Sequence, residues 1–272
     1  MTERHQYLLG HSSSELQRLS IQARLVDPIT RGFLRDGGLV PGMRVLDVGS
    51  GAGDVAFLAA DLVGEAGEVV GVDRAQVAVE RASQRASARS LRNVSFQAGD
   101  PAEIAFDRPF DAIIGRYVLM FQQDPVATLR KLTMHLRPGG AVVFHEPDRD
   151  GLRSFPPVGL YDRCCKLVDE VVRSAGADNR MGIKLHGTFV AAGLPAPQMR
   201  LESVIGAGAT SSDQVHFEMD LVGSLIAEME RLGIATRDEL QPDTLAERVF
   251  DVVSASGSVV VGRSEIGAWC HT

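Results

Sequence analysis

Short apolar runs alternate with amphipathic stretches along the first half of the chain. Between the runs, apolar residues recur at helical spacing, as over residues 54–62 and 125–136. Strands that alternate with helices predict an open α/β sheet, in which ligands bind beyond the carboxyl ends of the parallel strands. The runs predicted as strands are residues 45–48, 68–73, 93–98, 110–114 and 141–144.

The two flanking regions are predicted to be mainly helical. Before the first strand, Ser12 and Glu15 form a capping-box pattern for a helix that ends at Asp27-Pro28, and a second short helical piece follows. The second half is predicted to contain helices over 160–172, 182–192, 211–233 and 243–253, a strand over 199–205 and a last strand over 258–269, broken or bent at Gly262.

Composition narrows the possible partners. The chain has 272 residues, 44% of them hydrophobic, and a formal net charge of -7 without a basic run, which argues against a nucleic-acid substrate. It shows no long apolar stretch and no signal-peptide pattern, so we expect a cytoplasmic protein with no membrane partner. Its three cysteines, two of them adjacent, predict free thiols rather than disulfides.

The most informative stretch is the glycine-rich turn after the first strand. Asp47 precedes Gly49, Gly51 and Gly53, and Asp54 follows them. Glycines let the backbone approach a ligand, and the first amides of the next helix point toward it. The spacing G-x-G-x-G differs from the G-x-G-x-x-G of dinucleotide-binding turns. A tight turn without a ligand is the alternative.

Acidic residues end the next two predicted strands. Asp73 lies about twenty residues beyond the turn, where a carboxylate can accept both hydroxyls of a ribose. Its alternative role is to cap the following helix. Asp100 lies in a Gly-Asp-Pro sequence and could be an ordinary turn residue. Further along, a Leu-Arg-Pro-Gly-Gly sequence at 136–140 precedes the predicted strand 141–144.

Together these motifs resemble the class I S-adenosylmethionine-dependent methyltransferases that act on small molecules, such as those of natural-product or ubiquinone biosynthesis. The resemblance implies a Rossmann-like, doubly wound, seven-stranded sheet whose last strand is antiparallel. It implies one domain over 1–272, with an N-terminal helical lid (1–40), a cofactor-binding core (41–150) and helical cap insertions (151–180 and 211–240). The N-terminal helix could equally be a plain packing helix.

The resemblance also implies S-adenosylmethionine as cofactor and methyl transfer to an O, N or C nucleophile of a small organic acceptor. Candidate acceptor-binding residues are Tyr7, His11, Tyr117 and Met120. The cofactor-binding residues that it implies are Asp47, Gly49, Ser50, Gly51, Asp73, Arg74, Asp100, Pro101 and Arg116.

His145 follows the strand 141–144 and is the candidate general base, because an imidazole titrates near neutral pH. Its alternative is a strand-end histidine that only forms hydrogen bonds. A metal site formed by His145, Glu146 and Asp148 is disfavoured, because no second cluster of ligands is present. Two other functions stay open: the scaffold could catalyse a cyclisation or rearrangement, or bind cofactor without catalysis. An NAD-dependent oxidoreductase is disfavoured by the glycine spacing.

Overall fold

The computed structural model of the chain describes residues 13–272, so the candidate acceptor residues Tyr7 and His11 lie outside the described part. The chain divides into two compact units. The sheet unit contains residues 26–148, 180–202 and 265–272. The helical unit contains residues 149–179, residues 203–264 and the described residues up to Leu25.

The sheet unit is built around a seven-stranded sheet with the order β3-β2-β1-β4-β5-β10-β7. The strands β3, β2, β1, β4 and β5 are parallel, and β10 is antiparallel to β7, which confirms the predicted architecture. The carboxyl ends of the parallel strands therefore share one edge of the sheet. The strands are β1 Arg44–Val48, β2 Glu68–Asp73, β3 Val94–Ala98, β4 Phe110–Arg116, β5 Leu136–Asp148, β7 Gln198–Glu202 and β10 Ser264–His271.

The helices of the sheet unit follow the strands as predicted, with one difference in length. They are α2 Asp54–Val63, α3 Gln76–Ala88, α4 Pro125–Thr133 and α6 Met181–Ala191. Helix α4 ends three residues earlier than predicted, because the Leu-Arg-Pro-Gly-Gly segment is already part of β5. Leu136 pairs with Phe110, and the register then shifts so that Ala141 pairs with Ala112.

Helix α1 runs from Ser13 to Asp36. The prediction that Asp27-Pro28 ends it is therefore wrong. A proline inside a helix removes a backbone hydrogen bond and costs about 3 kcal/mol. Beyond it, Ile29, Phe33 and Leu34 are buried in the sheet unit. Burial of large apolar side chains contributes about 1.5–3 kcal/mol each, enough to offset the proline.

The helical unit has a hydrophobic core of its own. Helices α5 (Gly159–Ser174), α7 (Ser212–Leu232) and α9 (Pro242–Ala255) bury side chains such as Tyr161, Met219 and Val249 in one cluster. The short helix α8 (Arg237–Leu240) adds Leu240 to this cluster. The cysteines are free and buried, in agreement with the prediction: Cys164, Cys165 and Cys270.

A three-stranded sheet in the helical unit, with the order β6-β9-β8, was not predicted. Its strands are β6 Arg153–Phe155, β8 Ile205–Ala207 and β9 Val259–Val261. The predicted strands 199–205 and 258–269 are therefore each divided between two sheets. The points at which the two predicted strands divide are hydrogen-bonded to each other. The Gly262 N–H donates to the Val204 carbonyl, and the Ser203 hydroxyl donates to the Gly262 carbonyl. None of the described helices is both long and apolar enough to cross a membrane.

Candidate active site

The glycine turn between β1 and α2 leaves a piece of backbone accessible. Gly49, Gly51 and Gly53 have φ angles of 64°, 51° and 90°. A β-carbon added at Gly49 would lie 2.9 Å from Val118 Cγ2, whereas one at Gly51 would meet no atom of the described residues within 4 Å. Left-handed backbone without a side chain lets a ligand approach closely. The backbone at Gly51 is therefore accessible to a ligand, and we call this part of the turn the cradle.

Asp47 is a buried carboxyl group just before this turn. Within the part of the chain that the structure describes, its Oδ2 atom and the Ser50 hydroxyl are buried without a hydrogen-bond partner. Burial raises the pKa of Asp47 to about 8, although the nearby charge of Arg116 opposes the shift. Buried acceptors without donors are costly. The two groups therefore fit a ligand that brings positive charge and hydrogen-bond donors, as the amino-acid end of S-adenosylmethionine does.

Asp73 holds the glycine turn from the neighbouring strand. Its Oδ2 atom accepts the Gly51 N–H at 2.9 Å, and its Oδ1 atom accepts the Ala75 N–H at 2.8 Å. Ala75 occupies the N-cap position of α3, so the alternative role of Asp73 as the helix cap is wrong. A carboxylate has about four acceptor positions. Asp73 can therefore hold the turn and still accept ribose hydroxyls.

Arg74 and Asp100 form an ion pair after the ends of β2 and β3. Arg74 Nη2 lies 2.6 Å from Asp100 Oδ2, and Asp100 Oδ1 accepts the Ala102 N–H at 2.9 Å. Burial raises the pKa of Asp100, but these two contacts outweigh it and leave the pKa below its ordinary value. Pro101 is buried, and its carbonyl oxygen lies 3.0 Å from His135 Nε2. Asp100 is thus an anionic acceptor at neutral pH.

Arg116 is held by helix α1. Its Nη1 atom donates to Asp27 Oδ1 at 2.7 Å and to Thr30 Oγ1 at 3.0 Å, and its side chain is 5% exposed. The same guanidinium acts on the carboxyl group of Asp47. Sequence analysis missed Asp27 and Thr30 because it ended the helix at the proline. The cofactor-binding role of Arg116 stays a prediction.

His145 is buried between two protein oxygens. Its Nδ1 atom lies 3.1 Å from Thr30 Oγ1, and its Nε2 atom lies 2.8 Å from Glu265 Oε2. Glu265 Oε2 also accepts the Tyr117 hydroxyl at 2.8 Å. The general-base role of His145 stays a prediction. To act as a base, the imidazole would have to break its hydrogen bond with either Thr30 or Glu265. Sequence analysis missed Glu265, although an acid in an otherwise apolar strand is a signal.

The loop after β4 carries the candidate acceptor residues Tyr117 and Met120. Tyr117 has a φ of 57°, and its N–H donates to the His145 carbonyl at 2.9 Å. Met120 is buried. The next three backbone N–H groups, of residues 118–120, donate to the carboxylate of Glu146, which sequence analysis considered only as a metal ligand. Among the described residues, no group of three or more His, Cys, Asp or Glu is placed to hold a metal ion.

Comparison with known proteins decides the family. The methyltransferase domain family matches residues 39–181, just over half of the chain. A 2-phytyl-1,4-naphtoquinone methyltransferase of Synechococcus elongatus is 35% identical over 196 residues, which cover 69% of this chain and 80% of that protein. The chain belongs to the class I S-adenosylmethionine-dependent methyltransferases. This methyltransferase therefore uses S-adenosylmethionine as its cofactor.

A further relative and a solved structure are also similar to this chain. The aklanonic acid methyltransferase DauC of a Streptomyces species is 36% identical over 137 residues, which cover 50% of this methyltransferase and 61% of DauC. The solved structure of the [4+2]-cyclase SpnF is 22% identical, with a TM-score of 0.51 over 89% of this chain and 80% of that chain. At that identity the likeness shows the fold alone.

Proposed function

We propose that this methyltransferase methylates a small organic acceptor with a quinone-like or polyketide-like ring. The proposal takes its acceptor class from the relatives named for a naphtoquinone and for aklanonic acid. The chain's net charge of -7 is in keeping with an acceptor that is not a nucleic acid. The methylated atom, whether O, N or C, the absence of nucleic-acid and membrane partners, and a cytoplasmic location stay predictions.

The observation that carries the cofactor site is the buried Oδ2 atom of Asp47, which has no partner among the described residues. We assign this atom to the ammonium group of the cofactor. Asp73 accepts the ribose hydroxyls in this proposal, and Asp100, beside Arg74 and Pro101, accepts the adenine amino group. The peptide groups of Gly49, Ser50 and Gly51 approach the methionine portion.

When bound, S-adenosylmethionine supplies an electrophilic methyl carbon. The protein's own part is to align an acceptor nucleophile with that carbon and to exclude water, which can supply several kcal/mol of the barrier. Tyr117 and Met120 are the proposed acceptor contacts, with Tyr7 and His11 as further candidates outside the described residues. An acceptor hydroxyl must lose a proton, and in this proposal either His145 or solvent accepts it.

The first test is calorimetric titration of S-adenosylhomocysteine into wild-type protein, D73A and the control D61A. Asp61 is an exposed residue of α2 in the same unit, and its carboxylate forms an ion pair with the half-buried Arg31. We expect D73A to weaken binding about tenfold, or about 1.4 kcal/mol, and D61A to leave it unchanged. Folded wild-type protein that binds nothing would contradict the assignment.

A second measurement tests the reaction itself. Wild-type protein is incubated with S-adenosylmethionine and a panel of reduced naphthoquinones and phenolic polyketides, and both products are followed by mass spectrometry. Methylated acceptor should appear in equal amount to S-adenosylhomocysteine. An acceptor that is converted to an isomer without formation of S-adenosylhomocysteine would instead favour the cyclisation alternative.

A further inference from the structure

One buried side chain binds the loop after β4 to the end of β5. Glu146 is 0% exposed. Its Oε1 atom accepts the N–H groups of Val118 and Leu119 at 2.8 and 2.7 Å, and its Oε2 atom accepts that of Met120 at 3.3 Å. Consecutive N–H groups that converge in this way form an anion-binding nest. Here a carboxyl group of the protein itself occupies the nest, so the position of the loop depends on Glu146.

The loop in turn contacts the glycine turn. Val118 is buried, and its Cγ2 atom would lie 2.9 Å from a β-carbon at Gly49 and 3.3 Å from one at Gly115. The side chain of Val118 therefore fills the space that two glycines leave free. Because protein interiors are closely packed and the Val118 side chain lies over Gly49, a displacement of the Val118 backbone must change the packing on Gly49.

We propose that Glu146 is a positioning residue of the cofactor site, which acts through the backbone of residues 118–120 and through Val118 on the turn at Gly49. The inference rests on the proposed function, since it takes that turn as the cofactor cradle. The same carboxylate fixes the backbone of Met120, a candidate acceptor residue. Glu146 thus couples the place of the cofactor to the place of the acceptor without contact with either.

The residue type suits this role. A carboxyl group has acceptor positions on both of its oxygens, so it can satisfy three N–H groups at once. A glutamine of the same shape offers one oxygen and turns an NH2 group toward one of the N–H donors. E146Q is therefore a conservative variant: it disrupts the acceptance of three N–H groups by one side chain and keeps the side-chain volume. Because E146Q keeps the volume of the buried side chain, we expect its Tm to stay within about 3 °C of wild type.

The first test needs no ligand. Amide hydrogen exchange is measured by NMR for wild-type protein and E146Q. We expect the amides of residues 118–120 to be protected in wild type and to exchange about tenfold faster in E146Q, with the amides of β1 unchanged as an internal control. Fast exchange of residues 118–120 in folded wild type, or equal rates in the two proteins, would overturn the proposal.

The second test follows the coupling to the cofactor site by calorimetry with S-adenosylhomocysteine. We expect E146Q and V118A each to weaken binding about fivefold, and the double variant to be no weaker than either single one, because both act through the same contact. Additive losses would overturn the proposal. If E146Q does not fold, V118A and the wild-type exchange rates decide: an unchanged affinity of V118A overturns it.

Glu218 supplies the matched control. It is a buried glutamate of the helical unit, 1% exposed, whose Oε2 atom pairs with Arg149 at 2.9 Å. E218Q should leave the affinity for S-adenosylhomocysteine within about twofold of wild type, because the altered contact lies in another hydrophobic core. Wild-type protein that binds no S-adenosylhomocysteine would overturn the proposed function, whereas normal binding by both wild type and E146Q would overturn only the role of Glu146.

Discussion

Asp47 and Glu146 are both buried carboxyl groups near the carboxyl ends of parallel strands, and burial raises the pKa of each to about 8. They differ in what surrounds their oxygens. The Oδ2 atom of Asp47 has no partner among the described residues, whereas Glu146 accepts three backbone N–H groups. We therefore propose that equal burial serves two purposes: Asp47 keeps acceptor capacity for a ligand, and Glu146 uses its capacity to fix the backbone.

The largest expected effect on binding comes from D47N. This variant keeps the shape of the side chain but removes the negative charge that we assign to the cofactor's ammonium group. We expect S-adenosylhomocysteine to bind about 30-fold more weakly, or about 2 kcal/mol, as measured by calorimetry at pH 8. An effect no larger than that of E146Q would break the distinction between a ligand-binding and a positioning carboxyl group.

The stability of the same variant gives an independent check. The pKa of Asp47 is raised in the folded protein, so between about pH 4 and about pH 8 the folded protein keeps a proton that the unfolded chain has lost. The free energy of unfolding that Asp47 contributes therefore falls as pH rises through this range. D47N lacks that dependence. The ligand-free variant should therefore gain stability relative to wild type as pH rises through this range, measured by urea unfolding. Parallel pH profiles would contradict the prediction.

The pH dependence of binding gives the next largest effect. Between pH 6 and pH 7 the amino group of S-adenosylhomocysteine is mostly charged, while Asp47 is mostly protonated in the free protein. Binding must then release a proton from Asp47, so the affinity should rise about tenfold over this unit of pH. D47N should show a flat profile. A flat wild-type profile would show that Asp47 is not the partner of the ammonium group.

Sequence alone was sufficient where a feature of the fold is encoded in a short local pattern. The glycine turn, Asp47 and Asp73 lie within one β-α-β segment, and the structure joins Gly51 to Asp73 by a hydrogen bond that the sequence did not predict. The parallel order of the sheet also followed from local periodicity, because each connecting helix returns the chain to the same edge.

The contacts that sequence missed join distant parts of the chain. Glu265 reaches His145 across 120 positions, and Arg116 reaches Asp27 across 89. Neither pairing leaves a trace in local spacing. The continuation of α1 past Pro28 was missed for the same reason, since local propensity predicts a break and only tertiary burial offsets it. Sequence analysis placed a break or bend at Gly262, but local pattern does not show that the segments on its two sides, β9 and β10, belong to different sheets.

The smallest expected effect tests which contact holds the loop after β4. Tyr117 is the first residue of this loop, and its hydroxyl donates to Glu265 Oε2 at 2.8 Å. Y117F removes this bond and should lower the free energy of unfolding by about 1 kcal/mol in urea titrations. If Glu146 fixes the loop, Y117F should leave the exchange rates of the amides of residues 118–120 at wild-type values. If Y117F instead accelerates them as much as E146Q does, the loop is held from the tyrosine side, and Glu146 would be a buried acid without the positioning role that sets it apart from Asp47.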